Sequence, residues 1–172
     1  MPKVIENLKE QLLSEAKRQI DINGYARTTI RSVATACGIG VGTVYNYFSS
    51  KDMLIASFVL EDWYLCLEEM RGAEYTDGRE LLLSVYTSLS EFISKHDSLF
   101  SDADAHKSFS LSDGKRHVML RSQISEIILP VCNKTGENPK FLSEFIAESV
   151  ICWTVAKKSF DEIYSVIKLL IK

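Results

Sequence analysis

Little in this chain interrupts or cross-links a helix. Of 172 residues only three are proline and eight glycine, too few turn-formers for a protein of short strands, so an all-α fold is expected. The four cysteines, Cys37, Cys66, Cys132 and Cys152, form no C-x-x-C pair. The opening MPKVIENLKEQLL is amphipathic and carries acid, unlike a secretory leader. Together these predict reduced, buried thiols in a cytoplasmic protein. No apolar run approaches bilayer-spanning length. Histidine is scarce, with only His96, His106 and His117. Asp102, Asp104 and His106 alternate, but the spacing matches no helical metal pair, and no metal site or other cofactor is expected. Nucleophile elbow, phosphate loop and dinucleotide fingerprint are all missing, so an enzyme is not expected.

A formal charge of −3 excludes a protein basic throughout, yet the charge is unevenly spread. Residues 1–52 hold seven basic and five acidic groups, and the remainder 13 and 18. Positive potential is therefore concentrated in the first third. The hydrophobic share of 46% and mean hydropathy near zero fit an ordinary globular domain.

What is present is helical periodicity. Ile5, Leu8, Leu12, Ala16 and Ile20 mark a helix over residues 3–22, stopped by Asn23-Gly24. Thr28 is the expected N-cap of a second helix, with Ile30, Val33 and Ala34 inward. Gly38 permits a tight turn, and Gly40 opens a third helix over 41–47. Ser49, with Asp52 three residues on, is the expected capping box of a fourth. That helix carries Leu54, Ile55, Phe58, Val59, Trp63, Cys66, Leu67 and Met70, apolar on several sides, and ends near Gly72. Further helices are expected over 79–95, 115–134 (through Val118, Arg121, Ile124, Ile127 and Ile128, with Pro130 kinking or shortening it), 139–157 and 159–170. Asn138-Pro139 and the Ser159/Glu162 box open the last two. Residues 96–114 are compatible with one short helix or a loop.

The segment Thr28–Lys51, TTIRSVATACGIGVGTVYNYFSSK, is thus a short helix, a glycine turn and a second short helix: the layout of a helix-turn-helix, whose second helix enters the DNA major groove. Thr43, Tyr45 and Asn46 face outward while Val44 and Phe48 face the core. A threonine hydroxyl and methyl suit a base edge, and a tyrosine phenol suits phosphate oxygens. Asn46 suits adenine or simply solvent, and Tyr47 lies between groove and core. Gly42 has two readings, close approach to DNA or crowding between helices. Lys51 fits a phosphate clamp.

The order G-x-G-T-V-Y-x-Y-F-x-x-K resembles the recognition segment of the TetR family of bacterial transcriptional regulators. The resemblance implies an N-terminal three-helix DNA-binding domain over residues 1–50 (motif 28–48) and a C-terminal helical bundle over 51–172, with about nine helices in all and the fourth linking the two. It implies DNA contacts from Thr28, Thr29, Val41, Gly42, Thr43, Tyr45, Asn46, Tyr47 and Lys51. Relatives usually place a serine-lysine pair where this chain has Gly40-Val41, so one base-contacting lysine and a side-chain cap are lost. It also implies an apolar effector cavity, with Trp63, Tyr86, Phe92, Phe100, Met119 and Trp153 as candidates, Tyr64 and Phe109 being further aromatics nearby in sequence. Phe145, Trp153, Ile163 and Ile167 are the candidates for a homodimer face. The function expected is a ligand-responsive repressor binding a palindromic operator as a homodimer, its effector small and hydrophobic or amphipathic, with no membrane partner. Two alternatives stand beside it: a TetR-like activator, and a dimeric helical interaction protein that has lost DNA or ligand binding.

Overall fold

The computed structural model describes residues 7–105, 114–134 and 138–171. Among the described residues every regular element is a helix: α1 (Leu8–Asn23), α2 (Ile30–Ala36), α3 (Val41–Tyr45), α4 (Lys51–Gly72), α5 (Gly78–Lys95), α6 (Asp97–Phe100), α7 (Gly114–Cys132), α8 (Pro139–Val155) and α9 (Phe160–Ile167). None is long and apolar enough to cross a membrane. Ile5, His106 and Phe109 lie outside the described residues.

The chain divides into two compact units. One takes in the chain up to Asp62 and the short segment that begins at His96; the other takes in Trp63–Lys95 and the chain from α7 onward. The division falls inside α4, beyond the 50/51 boundary expected from sequence.

In the first unit Leu8, Leu12, Ala16 and Ile20, one turn apart along α1, are all buried. They pack in one core with Ile30 and Val33 of α2, Val44 of α3, Phe48, and Leu54, Ile55 and Phe58 of α4. Leu99 of α6 joins the same core. Gly24 ends α1 with φ of 78° and donates its N–H to the Ile20 carbonyl. Gly38 turns the chain after α2 with φ of 68°. A side chain at either would be strained, which is why glycine stands there.

Two caps sit one residue later than expected. Thr29, not Thr28, caps α2: its hydroxyl accepts the Ser32 N–H, and the Ser32 hydroxyl accepts the Thr29 N–H. Ser50, not Ser49, receives the Met53 N–H at the start of α4. Asp52 accepts the Tyr25 hydroxyl.

In the second unit, Leu81, Leu82, Val85, Leu89 and Phe92 of α5 are buried. Trp63 meets Phe92 edge-on, with centroids 5.2 Å apart, and its indole N–H donates to Gln123 Oε1. The buried register of α7 is Leu120, Ile124, Ile128 and Cys132, while Val118 is exposed. Pro130 sits inside the last turn of α7, which stops two residues later. Asn138 caps α8 through the Phe141 N–H, with Pro139 at the first helical position. Of the thiols, Cys66 and Cys132 are buried, Cys37 is half-buried, and Cys152 is exposed, contrary to expectation. Burial pushes the Cys66 thiol up to about 12.

The Ser159/Glu162 box at α9 forms as expected. The Glu162 carboxylate accepts the Ser159 N–H and hydroxyl and the Lys158 ammonium. These bonds, the backbone one foremost, hold its pKa down to about 2. A depressed carboxyl pKa means that the cap is intact above about 4.5 and is lost as pH falls toward 2. Carboxyl NMR is expected to show a Glu162 midpoint near 2, rising only part of the way in Ser159→Ala, which removes the hydroxyl bond and keeps the backbone N–H. A wild-type midpoint at 4.5 would show that the cap does not hold in solution.

Candidate nucleic-acid interface

The helix-turn-helix is held to its own unit by buried apolar side chains and leaves the rest of its surface outward. Val44 is fully buried and Phe48 is 5% exposed, whereas Tyr45 and Tyr47 are 53% and 49% exposed. Asn46 is exposed, and Thr43 and Val41 are half-buried, Val41 packing against the core. This alternation puts hydroxyl and amide groups of α3 on one outward side. A Cβ built on Gly42 meets nothing within 4 Å. Crowding between helices within the chain therefore does not account for glycine at this position.

Between the start of α2, α3 and the start of α4 lies a recess of about 450 Å³. Thr29 and Arg31 line it from α2, Val41 and Tyr45 from α3, and Ser49, Ser50 and Lys51 from the α4 end. Three of these, Arg31, Ser49 and Ser50, were not among the sequence candidates. Arg31 is exposed on the same turn as the Thr29 cap, a spacing that sequence alone makes visible. Thr28 also borders the recess, but it is 1% exposed and its hydroxyl donates to the Gly24 carbonyl at 3.0 Å. That bond pins the turn after α1 and leaves almost none of the Thr28 side chain on the surface.

Lys51 is not a dangling cation. Its ammonium donates to the Tyr25 carbonyl at 2.9 Å and lies 3.5 Å from the centroid of the Tyr25 ring. Burial lowers its pKa, with Asp52, Asp102 and Asp104 opposing. The head group is thereby fixed at the rim of the recess, with donor capacity beyond the one bond to Tyr25. Three other basic groups of this unit are held in ion pairs: Lys9 with Glu61, Lys17 with Asp62 and Arg18 with Glu15. A chain of hydrogen bonds steadies the α2 cap from below. Arg18 and Gln19 donate to Glu15, and the Ser32 hydroxyl donates to Gln19 Oε1 at 2.6 Å. The Arg18 and Gln19 bonds hold the Glu15 pKa down to about 2.

Residues 12–58 match the family model for bacterial regulatory proteins of the tetR family. The matched stretch runs from the middle of α1 to Phe58 in α4, and so contains the whole recess. This N-terminal region is of the TetR type. The chain is 29% identical to the HTH-type transcriptional regulator UidR of Escherichia coli K12 over 73 residues, 40% of this chain and 37% of that protein. It is 27% identical to the fatty acid metabolism regulator protein of Bacillus subtilis 168 over 158 residues, 84% of this chain and 78% of that protein. Among solved structures, BioQ with its double-stranded DNA operator superposes with a TM-score of 0.59 at 20% identity, covering 95% of this chain and 94% of that one.

The effector-cavity candidates take different places in their own units. Trp63 and Phe92 pack on each other as core. Tyr86 donates its hydroxyl to the Lys158 carbonyl and tilts against Phe160. Phe100 belongs to the first unit, against His96. Met119 and Trp153 are 38% and 51% exposed. Aromatic type alone does not separate core from cavity wall.

The dimer candidates divide in two. Phe145 and Trp153 are half exposed, whereas Ile163 and Ile167 are buried at 6% and 3%. They nonetheless border one groove of about 370 Å³, its outer wall completed by Val166 and Leu170 of the α9 end.

Proposed function

We propose that this chain is a DNA-binding transcriptional regulator of the TetR type, most simply a repressor, acting in the cytoplasm on a palindromic operator. The observation that carries the reading is the outward surface of α3. Thr43, Tyr45, Asn46 and Tyr47 stand beside Gly42, whose flank is open, with Thr29, Arg31 and Lys51 along one edge. Hydroxyl, amide and cationic groups on a short helix of small girth suit a groove edged by phosphates. Mobility-shift titration against the DNA upstream of the chain's own gene tests the reading; no shift at any salt concentration would reject it.

A homodimer follows from the operator argument. Two recognition helices related by a twofold axis meet half-sites one helical turn apart, about 34–36 Å. The groove walled by Phe145, Trp153, Val166 and Leu170 is the face for the twin. An effector, small and hydrophobic or amphipathic, acts by binding one conformer of the dimer better than the other.

Two substitutions separate contact from fold. Lys51→Ala is expected to weaken all duplex sequences about equally and to reduce the salt slope of binding by roughly one. It also removes the bond to Tyr25, costing about 1 kcal/mol of stability. A changed sequence preference with an unchanged salt slope would contradict the phosphate role. Gly42→Ala is expected to move the two observables oppositely: helix propensity gains up to about 1 kcal/mol, while operator affinity falls because the methyl occupies the approach. Unchanged affinity in the more stable variant would remove Gly42 from the interface.

A further inference from the structure

His117, Glu148 and Cys152 bring three different metal-ligating atoms to one place. Glu148 and Cys152 lie four residues apart on α8, so both side chains leave the same face of the helix, and His117 reaches them from α7. His117 Nε2 is 2.8 Å from both Glu148 oxygens, and the Cys152 thiol donates to Glu148 Oε1 at 3.3 Å. All three ligand atoms lie within 4.8 Å of one another. We propose that this trio is a binding site for a borderline divalent transition-metal ion of the zinc class, clipping α7 to α8.

The spacing suits the ion. Bonds of about 2.0–2.3 Å at tetrahedral angles put neighbouring ligand atoms roughly 3.3–3.7 Å apart. The hydrogen-bonded trio needs only small side-chain adjustments to admit a metal at its centre. The donor set selects the class: imidazole nitrogen, carboxylate oxygen and thiolate sulfur together fit zinc and its neighbours, whereas magnesium and calcium take oxygen alone. Binding replaces the Cys152 thiol proton, released to solvent, and uses the Nε2 lone pair with the ring proton on Nδ1. Three protein ligands leave a fourth position open to water or an exchangeable ligand. The site is reachable, since the His117 and Glu148 side chains are 20% and 37% exposed.

Arg121 opposes the ion. Arg121 Nη1 lies 3.6 Å from Glu148 Oε2, and its charge must turn outward when a cation arrives. Its side chain is 32% exposed, so solvent lies within its reach. Arg121→Gln is therefore expected to tighten metal binding roughly tenfold, from the repulsion of a divalent ion by a nearby unit charge.

The test titrates Co²⁺ into the reduced full-length chain. A thiolate-to-cobalt charge-transfer band with intense tetrahedral d–d bands is expected, saturating at one equivalent per chain and displaced by Zn²⁺. Cys152→Ser, conservative and at an exposed position, is expected to abolish the charge-transfer band. His117→Ala should weaken binding at least tenfold, while Cys37→Ser, in the other unit, should leave the spectrum unchanged. Circular dichroism of each variant separates lost ligation from lost fold. A wild-type chain without the band, or a band that survives Cys152→Ser, overturns the site. None of these readouts involves DNA, so the metal proposal stands or falls apart from the regulator reading.

Discussion

Phe145→Glu combined with Trp153→Glu is expected to give a folded monomer with operator affinity lowered by about 10²–10⁴, the usual worth of holding two binding modules together. Both side chains are half exposed, so a charge there costs little within the chain's own bundle. They lie two turns apart on α8 and wall the groove that Val166 and Leu170, 61% and 41% exposed, complete from the α9 end. Glutamates on an isologous face would meet their own copies across the twofold axis, where like charges repel. Ile167→Glu is expected to behave differently. Ile167 is 3% exposed, and a carboxylate there is buried without a partner, so the bundle itself should unfold. Sedimentation with mobility shift gives both outcomes. A wild-type monomer at micromolar concentration, or a double variant that still dimerises, would reject the face and the palindromic-operator argument with it.

What the sequence made legible was local. The helix-turn-helix was readable because its determinants lie within a few residues of one another: Gly38 for the turn, Val44 and Phe48 for the core, Tyr45 for the outside. Capping was readable only to within one residue. Thr28-Thr29 and Ser49-Ser50 are pairs of equivalent chemistry, and which member caps depends on where the preceding chain arrives. The Thr28 hydroxyl bond to the Gly24 carbonyl leaves the cap to Thr29.

Burial in the second unit was less legible, since α8 and α9 carry apolar residues on more than one face. Type does not distinguish exposed Phe145 from buried Ile146; only packing does. The boundary within α4 was hidden for a related reason, because a continuous helix carries no break in pattern where it passes from one core to the next. His117, Glu148 and Cys152 escaped entirely. The Glu-x-x-x-Cys spacing on α8 is visible in sequence, but its partner lies 31 residues earlier, and packing of α7 on α8 is what joins them.

Tyr45 and Phe48, three residues apart, should fail in opposite ways. Phe48→Ala removes a ring that is 5% exposed and packed with Val44, Leu54 and Phe58 in the first core. The expected loss is about 3–5 kcal/mol, a large part of the roughly 5–15 kcal/mol that holds a domain folded. The first unit should then melt well below the second, giving a split thermal transition. Tyr45→Ala removes a ring that is 53% exposed, so the melting profile should hardly change. Operator affinity should fall by about 1–3 kcal/mol, the usual range for one good contact. The pair is informative because DNA binding drops in both, and calorimetry tells the two causes apart. A Tyr45→Ala protein that keeps wild-type affinity would take Tyr45 out of the interface. A Phe48→Ala protein that melts with the wild type would mean that the α3 surface is not held by this core, and the geometry on which the DNA reading rests would have to be drawn again.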